Sequence, residues 1–177
     1  LQHYALNRTM EIAVIDGERG LGNGLLLPAG PLRESKNRIN NVDAVVVNGG
    51  NWGQDGVFRA RAEAQRLHQV AGPGQRSLGE FCDTKVHAVA GIANPTRFFD
   101  LLKKAGVDVL PHPLPDHAKL DIKSLNFGDS LPIVVTEKDA VKCQSFAHEN
   151  TWCVPIKLTF DARHGDRLMQ RVLTNLT

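Results

Sequence analysis

Lys85 to Leu110 reads KVHAVAGIANPTRFFDLLKKAGVDVL. Its first part, KVHAVAGI, is a short apolar run that reads as a buried strand. Asn94 then offers an N-cap, and Pro95 takes a first helical position that needs no N–H. Phe98, Leu101, Leu102 and Ala105 recur on one helical face, and Gly106 supplies the stop. VDVLPH, from Val107, opens another strand. Strand, helix and strand in that order make a βαβ unit with parallel strands.

The same grammar extends in both directions. LPIVVTEKDAVKC (Leu131 to Cys143) runs as a strand to Val135, with Thr136 as N-cap and a short helix from Glu137. Upstream, EIAVID (Glu11 to Asp16) and DAVVVNGG (Asp43 to Gly50) are buried-strand runs that stop at glycine. Pro31 to Asn40 predicts a helix, with Leu32 and Ile39 as apolar points. TWCVPIKLTF (Thr151 to Phe160) predicts one last strand, placed at an edge by Pro155. The chain closes on a helix in DARHGDRLMQRVLTNL, with Leu168, Val172 and Leu173 facing inward. Val57 to Val70 is ambiguous: Phe58, Ala60, Ala62 and Ala64 alternate like a strand, but the residue types also suit a helix. We read it as a β-hairpin or ribbon, ended by GPGQ at Gly72 to Gln75. The fold class that follows is α/β, a mainly parallel sheet with flanking helices.

Composition bounds the function. The chain has 177 residues, enough for one domain or two small ones, with 21 basic and 19 acidic side chains and a net charge of +2. That balance points away from a nucleic-acid partner. The three cysteines, Cys82, Cys143 and Cys153, form no CxxC pair and fit free thiols in a reducing compartment. No apolar run is long enough to span a bilayer.

Three polar clusters carry candidate chemistry. The first is VIDGERGLGNGLLLPAGPLRES (Val14 to Ser35), with Gly20, Gly22 and Gly24 at alternate positions after a strand. Such spacing suits either an anion-binding nest of backbone amides at the carboxyl end of a strand, or a plain turn. It matches neither GxxxxGK[ST] nor GxGxxG. The second is PHPLPDHAK (Pro111 to Lys119), a proline-held loop from which His112, Asp116 and His117 protrude. A histidine beside a carboxylate suits general-base work or, with a third ligand, a metal; ordinary loop histidines are the plain alternative. The third is TEKDAVK (Thr136 to Lys142), a capped first turn in which Lys138 is the unusual residue and a candidate for meeting an anion.

Taken together, VIDGERGLGNGLLLPAGPLRE, DAVVVNGG, VHAVAGIANPTRFF, LPDH and VTEKDAVKC resemble, in order and spacing, the tetraacyldisaccharide 4'-kinase family of lipid A biosynthesis. The resemblance runs from Leu1 to about Thr159. It implies transfer of the ATP γ-phosphate to the 4'-hydroxyl of a tetraacyldisaccharide 1-phosphate, with Mg²⁺ and a P-loop holding the triphosphate. In the family a P-loop, an acidic pair and a membrane anchor precede the segment matched here. The chain is therefore expected to correspond to the carboxyl-terminal part, to lack an anchor, and to be inactive or nearly so alone. The family's place is the cytoplasmic side of the bacterial inner membrane, and its partners are the lipid A precursor and the membrane surface.

By the same resemblance, residues 1–50 are the remnant of a P-loop kinase core, 51–80 a linker, and 81–177 a smaller α/β domain. His117 is the implied catalytic histidine, the partner of an aspartate outside these residues. Asn23, Arg33 and Glu34 are the implied substrate-binding residues, and Lys138 a candidate for the nucleotide; no metal ligand is assigned. The chain departs from the family pattern at Leu21, Ser35, Ala93 and Ala118, where Phe, Pro, Gly and an aromatic residue or His are usual. Ala118 is the departure beside a chemically important position. A phosphosugar-binding module without chemistry is the alternative, and a metal-dependent hydrolase built on His112, Asp116 and His117 a third reading.

Overall fold

The structure, a computed structural model, describes residues 5–53, 55–116 and 118–176. In chain order the strands are β1 (Ile12–Asp16), β2 (Ala44–Asn48), β3 (Phe58–Ala64), β4 (Leu67–Gln69), β5 (Gln75–Arg76), β6 (Lys85–Ala90), β7 (Asp108–Pro113), β8 (Ile133–Thr136), β9 (Thr151–Val154) and β10 (Ile156–Phe160). The helices are α1 (Pro95–Lys104), α2 (Glu137–Cys143) and α3 (Ala162–Leu176), with short 3₁₀ turns between strands. Two compact units result: Leu1–Ala62 with Leu158–Thr177, and Glu63–Lys157. The α/β class with largely parallel sheets is as the sequence implies.

The first unit carries a sheet of order β1-β2-β3-β10. β1 runs parallel to β2, and β2 parallel to β3. Ala44, Val46, Phe58 and Ala60 are buried against Met10, Phe160 and Leu168. Helix α3 is tied down by His164, whose Nδ1 accepts the Arg59 N–H at 2.9 Å, and by Arg167, which lies over the Phe58 ring. Leu168 packs inward as expected, whereas Leu173 is 56 % exposed. The inner stripe follows the four-residue rise through His164, Leu168 and Val172, and Leu173 sits about 100° further round.

The second unit is a three-layer α/β/α sandwich on a sheet of order β5-β4-β9-β8-β6-β7. β7, β6, β8 and β9 are parallel; β4 and β5 are antiparallel additions at one side. Successive strand residues face opposite layers. Val86, Ala88, Ala90, Val134, Trp152 and Val154 meet Phe98, Phe99 and Leu102 of α1. Val89, Ile133, Val135 and Cys153 meet Leu120, Leu125 and Cys143 on the other side. Each fully buried Val, Leu, Ile or Phe among them stabilises the fold by about 1.5–3 kcal/mol relative to exposure.

Three local expectations need correction. Pro31 to Asn40 is not an α-helix: the Leu27 amide donates to the Leu32 carbonyl and the Leu32 amide to the Leu25 carbonyl around a tight loop, and only a 3₁₀ helix, Lys36–Asn41, follows Ser35. Val57 to Val70 holds two strands, but β3 pairs with β2 and β4 with β9, so it is no hairpin. Thr151 to Phe160 is likewise two strands in different sheets, divided at Pro155, which has no N–H for a ladder.

Candidate functional site

The glycine segment leaves β1 as a series of turns. Gly20, Gly22 and Gly24 have φ of +56°, +60° and +73°, the left-handed region that favours glycine. Their amides donate to the Asp16, Arg19 and Leu21 carbonyls at 2.8, 3.0 and 3.1 Å. These three N–H groups therefore serve the turns themselves. Asp16 reinforces the first turn by accepting the Glu18 and Arg19 amides. At the base of the segment, Gly17 lies so close to Gly49 that a methyl group on it would fall 1.7 Å from the Gly49 carbonyl oxygen.

Asn23 spans the loop that follows. Its Nδ2 donates to the Ala29 carbonyl at 2.9 Å and its Oδ1 accepts the Leu25 amide. The loop presents Leu25, Leu26 and Leu27 half exposed. Arg33 and Glu34 line a groove of about 400 Å³ together with Val14, Leu21, Leu32 and Arg38. Glu34 faces the Arg38 Nε at 3.5 Å, and Arg38 also grips Glu11. The Arg38 hydrogen bond holds the Glu11 carboxyl below the usual range. Of the expected site residues, Arg33 and Glu34 line this groove, whereas Asn23 is engaged within the loop of the same unit.

In the second unit the carboxyl ends of β6 and β8 meet the proline loop. Asp139 is fully buried. It accepts hydrogen bonds from the Gly91 amide (2.8 Å), the Thr136 hydroxyl (2.7 Å) and Lys142 Nζ (2.8 Å). Burial alone would raise its pKa, but these bonds outweigh burial and hold the carboxyl below its ordinary value. Lys142 Nζ also reaches the Ala118 carbonyl at 3.3 Å. One turn earlier, Lys138 Nζ donates to Asp116 Oδ1 at 2.6 Å. The ammonium expected at a nucleotide thus faces a carboxylate of its own chain. His117 lies outside the described residues.

His112 is not a loop residue. It belongs to β7, is half-buried, and its Nε2 lies 2.9 Å from His87 Nδ1 on β6. His87 Nε2 lies 3.1 Å from an Asp129 oxygen, and Phe127 stacks on both imidazoles. The pair was invisible in the sequence because His87 sits inside an apolar run, where alternation hides which side chain faces a neighbour strand. Beyond it, at the amino ends of β8 and β9, Phe127, Asp129, Asn150 and Trp152 line a cavity of about 750 Å³.

Among the described residues no group of three His, Cys, Asp or Glu is placed to hold a metal ion. His112 is committed to His87 and Asp116 to Lys138. No GxxxxGK[ST] occurs in the 177 residues. Among the described residues the side chains do not compose a site for Mg²⁺ or a triphosphate, and no step is assigned through either group.

The profile of the family described as LpxK, tetraacyldisaccharide-1-P 4'-kinase, matches residues 1–174. A tetraacyldisaccharide 4'-kinase of Methylobacillus flagellatus is 47 % identical over 97 % of this chain and 51 % of its own length. One of Nitrosococcus oceani is 45 % identical over 96 % of this chain and 49 % of its own. The fold is shared with a crystal structure of LpxK from Aquifex aeolicus in complex with ATP, at a TM-score of 0.69 and 21 % identity, over 99 % of this chain and 55 % of that one. The chain spans about half the length of the relatives it matches. With the matched profile extending over nearly every residue, this chain belongs to the tetraacyldisaccharide-1-P 4'-kinase family.

Proposed function

We propose that this chain forms part of a kinase that transfers the γ-phosphate of ATP, with Mg²⁺, to the 4'-hydroxyl of a tetraacyldisaccharide 1-phosphate. The observation that carries the reading is the family match over residues 1–174, joined by relatives of that activity at 45–47 % identity. In this reading His117 holds or moves the proton of the attacking sugar hydroxyl. Arg33 pairs with a phosphate of the head group through its planar fork. Asn23 and Glu34 shape the same surface. The lipid substrate places the reaction at a membrane surface, on the cytoplasmic side of the inner membrane. None of the described helices is long and apolar enough to cross a bilayer.

The test is a fusion of this chain behind the amino-terminal portion of the Methylobacillus flagellatus relative, assayed with labelled ATP and lipid acceptor. Phosphorylation at the 4'-position supports the reading, and His117→Ala should then lower kcat by ~10²–10⁴-fold with little change in KM for ATP. The 177-residue chain alone should show no transfer, because it carries no phosphate-binding loop. A fusion that binds acceptor without transferring phosphate overturns the kinase reading. It would favour the non-catalytic phosphosugar module.

A further inference from the structure

The cavity of about 750 Å³ at the amino ends of β8 and β9 is built wholly from residues of the second unit. Lys138 and Asp139 sit at the other end of the sheet, just past the carboxyl end of β8. A volume of this size suits a small organic molecule, whose pockets run to about 300–1,000 Å³. Ile122, Leu125, Phe127, Leu131 and Phe146 give the cavity its apolar wall. Two of them are held in place. Ile122 opens a 3₁₀ turn in which Asp121 accepts the Ser124 amide at 2.8 Å, and Phe127 stacks on the His87 and His112 rings. Ile122 is 66 % exposed, so the turn fixes an isoleucine on the cavity without burying it.

Most polar groups of the wall are spent on one another. Trp152 Nε1 donates to Asn150 Oδ1 at 3.1 Å, Asn150 Nδ2 to the Ser130 carbonyl at 3.2 Å, and Gln69 Nε2 to the Glu149 carbonyl at 2.6 Å. Asp129 accepts from His87 and from the Leu131 amide. Arg76 is different. Its guanidinium lies 4.8 Å from the Trp152 ring centre and 5.7 Å from that of Phe81. Among the described residues no hydrogen bond or ion pair involves its side chain. Glu80 feels its charge but bonds to Ser77. A planar cation resting on aromatic rings keeps its fork of N–H donors for an anion.

We infer that this cavity binds a small hydrophobic monoanion, with its apolar body against Ile122, Leu131 and Phe146 and its singly charged oxyanion on Arg76. Asp129 and Glu149 also line the cavity, and their charge repels a polyanion such as a nucleotide. One delocalised negative charge matches the single guanidinium. The internally paired amides ask for no polar groups on the rest of the ligand. No residue with a role in the kinase reading takes part.

The probe is 8-anilinonaphthalene-1-sulfonate, titrated into the 177-residue chain and followed by its fluorescence. N-phenyl-1-naphthylamine supplies the same ring body without the charge. The sulfonate should saturate a single site and bind about tenfold tighter than the neutral amine, the worth of one charge-assisted hydrogen bond. Arg76→Gln should remove that advantage. Ile122→Glu, which sets a carboxylate on the apolar wall, should weaken the sulfonate by a similar factor. Val141→Glu, at a position 78 % exposed on α2, should change neither probe's affinity. Arg76 and Ile122 are both exposed, so urea midpoints should match the parent. The place of binding is read from the two tryptophan indole N–H resonances: the sulfonate should move Trp152 and leave Trp52. If a variant's midpoint falls, the parent's indole shifts still decide. Failure to saturate, equal affinity for the two probes, or an Arg76→Gln affinity for the sulfonate within twofold of the parent overturns the proposal. So does an unmoved Trp152 indole, whether or not Trp52 responds.

Discussion

His112 Nε2 and His87 Nδ1 lie 2.9 Å apart across neighbouring parallel strands, and one proton serves the contact. The ionised Asp129 carboxylate only accepts, so His87 Nε2 carries hydrogen toward it. His87 Nδ1 is then a lone pair, and His112 donates to it. This order of donors assigns both tautomers from the network. Adding a second proton between the rings removes the acceptor. Burial, and then the neighbouring His87, push the His112 pKa below its ordinary value of 6.5.

The second unit should therefore lose stability in mild acid. A folded value below the unfolded one means the stabilisation is fully present above about 6.5 and is lost as pH falls through the folded value. The carboxylates Asp129 and Asp139, also depressed, contribute their loss only at lower pH, below about 4. Urea midpoints should be level from about pH 8 to 7 and fall toward pH 5. His112→Gln, which keeps a donor but cannot titrate, should flatten that window. An identical fall in the variant would reject the assignment to His112.

Gly17→Ala should cost about 1–3 kcal/mol, the usual penalty for forcing a group into packed backbone. The clash is with the Gly49 carbonyl, which no side-chain rotation relieves. Gly53→Ala is the control, since its nearest neighbour atom would be 3.5 Å away. Urea unfolding of both variants measures the difference, and equal midpoints would show that the β1 and β2 ends do not approach as described.

Asp139→Ala should destabilise by about 3–5 kcal/mol, because it strands a partly buried Lys142 ammonium and the Gly91 amide. Asp139→Asn keeps an acceptor and should cost less. A change below about 1 kcal/mol for the alanine variant would mean that water replaces the carboxylate without penalty.

Thiol labelling should separate the three cysteines. Burial, with Glu137 as a lesser cause, pushes the Cys153 thiol up to about 11, and burial raises Cys143 as well. Cys82 is exposed. In native buffer near pH 8 one thiol should react quickly, and all three only after unfolding. Fast labelling of two or three in the native chain would contradict the burial of β9 and α2.

The strands and α1 were legible because each signal was local. Asn94, Pro95 and Gly106 bracket a helix whose inward residues, Phe98 and Leu102, follow from spacing alone. Thr136 with Asp139 three residues on was also readable as a cap. The further partners of Asp139, Gly91 and Ala118 by way of Lys142, are long-range in sequence, and nothing in TEKDAVK names them. The glycine segment left a nest and a plain turn both open for the reverse reason. Spacing announces left-handed residues but not whether their N–H groups point outward or back to Asp16, Arg19 and Leu21. Asn23, Arg33 and Glu34 came from a resemblance, and their grouping on one unit is a product of the loop's closure between Leu25 and Leu32.

The chain enters the second unit within β3 and leaves it within β10, and the Gln65 amide donates to the Pro155 carbonyl at 2.8 Å. Entry and exit are therefore side by side. A segment with adjoining ends behaves as a cassette: it interrupts the surrounding sheet at one point and imposes no long detour on the chain. Its ends could be rejoined by a tight turn in the first unit, or bridged to make a circular permutant of the second, without stretching any strand. Each unit can then drift in sequence independently, because each keeps its own core.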